Sequence, residues 1–220
     1  MAFGWTVVKL LALWEGTHMA IEYHERHHYF NLSRKYCNQV GKPLLRVGMH
    51  RGMFEPPNGD YTIDIDPVIK QVPGGVWGDE RDMPFEDKQF GVCFNEHTLE
   101  HQYNVNDVEL AVNECVRVAD IAVFLAPSPW RITTTLFAPT HFLRLWFNPH
   151  TNTIKVVPNK FRPTWMPADY DIEHQKHYSQ VLVSTSTPPK VLDQNTNPSF
   201  SRIGHGFILA NPEYAEIRKI

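Results

Sequence analysis

Cysteine is scarce in this chain, basic residues are nowhere clustered, and no apolar run is long enough to cross a bilayer. The three cysteines among 220 residues, Cys37, Cys93 and Cys115, are odd in number and stand at neither metal-ligand nor redox spacing. A disulfide framework is therefore not expected, and a reducing, cytoplasmic setting fits best. Cys93 and Cys115 fall within apolar runs, where a thiol acts as a small buried hydrophobe. Lys and Arg total 21 against 24 acidic residues, for a net charge of −3, and the cations are scattered, so no nucleic-acid footprint is visible. The apolar stretch from Phe3 to Trp14 is interrupted by Lys9 and falls short of the roughly 20 residues of a spanning helix. It also lacks the basic lead and small-residue cleavage site of a signal peptide. No phosphate-cradling glycine loop and no internal repeat is present.

What remains is ordinary globular material, 42% hydrophobic and 20% charged, enough for a sizeable core. Residues 20–40 carry Ile21, Tyr23, Tyr29, Phe30, Leu32 and Tyr36 at mixed three- and four-residue intervals and stop before Gly41 and Pro43, which predicts an amphipathic helix. The segment from Phe3 to Trp14 reads as a helix packed on its own domain, or as one lying in a membrane interface or against a second copy. Short buried strands are predicted at 44–47, 61–65, 91–94 and 121–126, with a helix over 108–118. Strands alternating with helices from 43 to 126 imply βαβ units and a mainly parallel sheet. Residues 142–147 and 153–157 flank Asn148-Pro149-His150-Thr151-Asn152 and predict an antiparallel hairpin at the sheet edge. The resulting division is an N-terminal segment over 1–40, a central domain over 41–160, and an irregular C-terminal extension over 161–220, rich in Pro, Ser, Thr and Asn.

Acidic residues stand at the ends of successive strand units: Tyr61-Thr62-Ile63-Asp64 and, after the next, Gly78-Asp79-Glu80. That is how an open α/β sheet holds a nucleoside-containing cofactor. Together with Met83-Pro84-Phe85, Phe90-Gly91, Leu99-Glu100-His101 and Glu114-Cys115-Val116-Arg117-Val118, these residues resemble class I S-adenosylmethionine-dependent methyltransferases of the type 11 branch, whose corresponding run reads Gly-Asp-Ala-x-x-Leu-Pro-Phe, Phe-Asp, Leu-Glu-His and Glu-x-x-Arg-Val. The resemblance implies a Rossmann-like fold and S-adenosylmethionine as cofactor. It implies that Gly48 and Gly52 let backbone approach the cofactor, that Asp64 accepts the ribose hydroxyls, that Asp79, with Glu80 beside it, serves the adenine end, that Met83 packs on the ring, and that Asn95 and Glu96 face the methyl-delivery position.

The chain departs from the family at Arg46-Val47-Gly48-Met49-His50-Arg51-Gly52, where the family carries an acidic residue and three close glycines, and at Gly91, where it carries Asp. Should the acceptor need to lose a proton, His97 and His101 are the candidate bases. The expected function is methyl transfer to a small-molecule or lipid-like acceptor, and the rival is an inactive member of the fold serving as an assembly subunit. His24, His27 and His28 share a helix face that a metal site requires, yet Glu22, Glu25 and Arg26 around them suit a solvated face equally, and no metal is expected. Thr140-His141 and His174-x-x-His177 are read as ordinarily hydrogen-bonded.

Overall fold

The computed structural model describes residues 2–52, 55–128, 131–136, 138–148, 153–160, 182–184 and 190–192. Most of the expected C-terminal extension, His174 and His177 included, lies outside the described residues.

A single helix, α1 (Ala2–Val40), joins the two N-terminal pieces that the sequence suggested separately. It holds no proline, and it ends where Gly41 takes φ 68° and the Lys42 N–H bonds the Cys37 carbonyl at 3.1 Å, a glycine C-cap reinforced by Pro43. Strands β1 (Leu44–Val47), β2 (Tyr61–Asp64), β3 (Gly75–Trp77), β4 (Phe90–Glu96) and β5 (Ala119–Leu125) follow, with α2 (Val105–Val118) leading into β5. They pair in parallel in the order β3-β2-β1-β4-β5, so the strand order reverses between β1 and β4. A ligand in such a sheet binds beyond the carboxyl ends of the strands at that reversal. The architecture is the Rossmann-like α/β fold expected.

The edge beyond β5 is taken by an antiparallel strand, β8 (Leu182–Ser184). After the short helix α3 (Ile132–Leu136), the expected hairpin forms as β6 (Leu143–Asn148) and β7 (Thr153–Pro158), but it belongs to a sheet of its own completed by β9 (Lys190–Leu192).

Alternation along the strands divides the core. Leu45, Val47, Cys93, Ala122 and Phe124 face α2 and meet Leu143, Leu145, Ile154 and Val156 of the second sheet. Leu44, Val92, Phe94, Ile121, Val123 and Leu125 face α1 and meet its Tyr29, Phe30 and Cys37. The three cysteines are free and buried, and burial pushes the Cys37 thiol up to about 12. Gly91 sits under α1, where a Cβ would come within 3.0 Å of Cys37 Sγ and 3.2 Å of Val40 Cγ2. The close passage of α1 is the physical reason why this chain has glycine where the resemblance expects aspartate. No described helix is long and apolar enough to cross a membrane.

Candidate active site

The carboxyl ends of β1 and β2 are tied by one carboxylate. Gly48 leaves β1 at φ 88°, in the left-handed region open to glycine, with its N–H on the Ile63 carbonyl at 2.9 Å. Asp64, buried at the end of β2, accepts the Met49 N–H on Oδ2 at 2.8 Å and the Asp66 N–H on Oδ1 at 2.7 Å, while Arg51 Nη2 stands 3.5 Å away. Asp66 caps the following 3-10 turn by accepting the Val68 N–H at 2.9 Å, the role expected of a residue before Pro67. Gly52 is half-buried, and a Cβ there would meet nothing within 4 Å.

Asp79 is held by the guanidinium of Arg81, with contacts of 3.1 and 2.9 Å, and Arg81 in turn reaches Asp107 in the first turn of α2 at 2.7 Å. The two later pieces of the motif run clasp one another. Glu114 accepts the Met83 N–H at 2.8 Å, and Arg117 donates to the carbonyls of Met83 at 3.0 Å and Phe85 at 2.8 Å. The Glu-x-x-Arg spacing thus fixes the loop that follows Asp79.

Glu80 and Asn95 come together, but inside the molecule. Asn95 Nδ2 donates to Glu80 at 2.7 Å, and Thr98 and Gln102 donate to the same carboxylate. Burial raises Glu80 to about 7 against the opposing pull of these donors. These two residues join β4 to the loop after β3 and are enclosed by protein.

On the opposite face of β4 lies an ion network that spans four segments. Glu96, fully buried, takes Arg46 Nη2 from β1 at 2.9 Å and the guanidinium of Arg26 from α1. Arg46 also donates to the Pro56 carbonyl at 2.6 Å and stands 3.3 Å from Glu55. The positive charge that replaces the family's acidic residue is therefore compensated across the strand pair, and it holds the 55–57 loop. His50 lies at the surface with Nδ1 on the Pro56 carbonyl at 2.9 Å. Farther along α1, Glu22 pairs with Arg131 at 2.7 Å and with His97 Nε2 at 3.1 Å, and Glu15 pairs with Arg131 at 3.0 Å. Burial pushes Glu22 up, but His97 and Arg131 outweigh it and hold the carboxyl at about 2.

His97 and His101 leave the end of β4 in a different direction from Asn95. His97 has φ 56°, unusual outside glycine, and this backbone turns it toward Glu22 and, at 4.0 Å, Glu100. His101 packs edge-on against His141, with ring centroids 4.7 Å apart. His24 and His28 stack at 6.0 Å on the exposed face of α1, and His27 Nδ1 meets the Tyr23 carbonyl. Sequence reasoning did not bring Glu15, Glu22, Arg26, Glu55 or Arg131 to the site. The spacing of Glu15, Glu22 and Arg26, seven and then four residues, is the signal that puts them on one helix face.

Residues 62–122 match the family model of a methyltransferase domain, a span that begins in β2 and ends in β5 and so leaves the altered 46–52 loop outside it. No curated protein matches the chain. The matched span, its parallel strand order and the acidic residues closing its strands agree, and over these residues the chain is similar to class I S-adenosylmethionine-dependent methyltransferases.

Proposed function

We propose that this domain transfers a methyl group from S-adenosylmethionine to a small-molecule or lipid-like acceptor. The observation that carries the reading is Asp64. It stands at the end of β2 beside the strand-order reversal, where its oxygens accept the N–H groups of Met49 and Asp66 and so hold the carboxylate at the carboxyl ends of β1 and β2. Arg51, whose side chain is about one-third exposed, stands 3.5 Å from it. The residues present fit the nucleoside end of the cofactor: Asp64 would take the ribose hydroxyls once Arg51 swings out, Asp79 the adenine amino group, and the Gly48 turn lets backbone approach. At the amino-acid end, Arg46 is neutralised by Glu96 and Glu55, and Glu55 is the carboxylate of that cluster with exposure to offer. When bound, the sulfonium supplies both methyl and leaving group, so the protein's task is alignment.

Isothermal titration with S-adenosylmethionine and S-adenosylhomocysteine tests this directly. Micromolar binding is expected, lost in Asp64→Ala and strongly weakened in Asp79→Ala. Absence of heat from folded wild-type protein would defeat the reading.

A second reading, an assembly subunit without catalysis, draws on the N-terminal half of α1, where Trp5, Leu10 and Leu13 are each at least 60% exposed. Such a surface suits a second copy of the chain or a membrane interface. Sedimentation velocity, with and without phospholipid vesicles, would detect either. Leu13→Ser with Trp5→Ser is expected to abolish the larger species, and a wild-type monomer that ignores vesicles would remove this reading.

A further inference from the structure

Beyond the end of β4 the molecule buries a polar cluster that the cofactor reading does not use. Glu100 and His101 lie in the 3-10 turn Leu99–His101, and His141 arrives from the segment just before β6. One ligand-bearing atom from each lies within 4.8 Å of the others. Glu100 is 2% exposed, and neither of its carboxylate oxygens meets a hydrogen-bond partner. The imidazole nitrogens facing it, His141 Nε2 at 3.9 Å and His97 Nδ1 at 4.0 Å, are beyond hydrogen-bond reach. A carboxylate taken out of water in this way needs a cation or a proton. Glu100 and His141 are too far apart to bond one another, and the ligand atoms of all three side chains, within 4.8 Å of one another, are near enough to share one ion at about 2 Å from each after a small adjustment.

Both sides of the cluster are held from behind. The turn is fixed by the His101 N–H on the Thr98 carbonyl at 3.2 Å and by Thr98 and Gln102 on Glu80. The His141 segment is fixed by Asn159, whose side chain donates to the His141 carbonyl at 3.0 Å and whose N–H bonds the Phe142 carbonyl at 2.8 Å. Such outer support is what keeps ligands in place when a metal is absent.

We propose that Glu100, His101 and His141 form a binding site for one first-row divalent cation of the zinc type, with coordination positions left for water or an oxygen-bearing ligand. Two imidazoles and one carboxylate suit zinc and its neighbours, whereas magnesium and calcium favour oxygen throughout. The site does not depend on methyl transfer, so its test is independent of the cofactor.

The full chain, stripped with a chelator, is titrated with Zn2+ against a chromophoric competitor and separately with Co2+, whose visible absorption reports coordination by nitrogen and oxygen. One equivalent per chain is expected, undisturbed by excess Mg2+. Glu100→Gln and His141→Asn are each expected to weaken it by more than the roughly 10–100-fold that follows loss of a supporting partner. His24→Ala with His28→Ala, on the exposed face of α1, leaves it unchanged. To separate loss of a ligand from misfolding, the variant's melting temperature in chelator is compared with wild type: Glu100→Gln removes a buried charge and is expected to melt no lower, while losing the zinc-dependent rise. No uptake by wild type, uptake that survives both ligand variants, or uptake lost with the surface histidines would overturn the site.

Discussion

Arg46 takes a full positive charge to a position with no exposure, and it is stable there because Glu96, Glu55 and the carbonyls of Pro56 and Pro57 receive its guanidinium. Removing one partner of a buried pair leaves the other charge uncompensated, so Arg46→Met is expected to cost about 3–5 kcal/mol in urea unfolding. Adding Glu96→Gln to it should cost less than the sum of the single changes, because the two residues share one interaction. A loss below ~1 kcal/mol for Arg46→Met would mean that the pair is not formed. The sequence displays Arg46 as an anomaly inside an apolar strand, but not its cure. Arg26 lies twenty residues upstream on a helix, and nothing local links it to Glu96. Asp64 and Asp79, by contrast, were legible because a strand end followed by an acidic residue is a local pattern, and both stand at the ends anticipated. Glu80 was read as part of the cofactor pocket, yet it faces inward to Asn95, Thr98 and Gln102, a direction that residue spacing in a loop does not encode.

Helix α1 sets what the sheet can carry beneath it. Restoring the family's residue at one point tests this: Gly91→Asp would press a Cβ to 3.0 Å from Cys37 Sγ and bury a carboxylate among apolar side chains. A loss of more than about 2 kcal/mol in thermal or urea unfolding is expected, and a neutral outcome would mean that α1 does not pack as described. Strands β1, β2, β4 and β5 were readable because each is a short, largely apolar run bounded by turn residues, whereas β3 (Gly75–Trp77), only three residues long, was given no bounds. The length of α1 was less so, since Gly16, Thr17 and His18 interrupt its apolar pattern although the helix runs through them. The hairpin was readable from its loop. Its place in a separate sheet was not, because the edge of β5 is occupied by residues 182–184, nearly sixty residues along the chain.

At the scale of the whole molecule, two polar layers sit on the two faces of one sheet: the Glu80 group under α2, and the Glu96 and Glu22 network under α1. Between them, the carboxyl ends of β1 and β2 present Gly48, Asp64 and the partly exposed Arg51. The match over residues 62–122 runs from β2 through β3 and β4 into β5 and includes the Glu114–Arg117 clasp, parts written largely in local sequence, while β1 lies outside it. The loop at 46–52 is where this chain differs, and only three-dimensional packing explains how a cation is accommodated there.

Hydrogen exchange with and without saturating S-adenosylhomocysteine is the measurement that bears most directly on this account, because the N–H groups of Met49 and Asp66 are themselves bonded to Asp64. Slowed exchange confined to residues 47–52, 61–66 and 78–83, and absent in Asp64→Ala, is the predicted result. Identical exchange with and without the ligand, or protection confined to other parts of the chain, would contradict it.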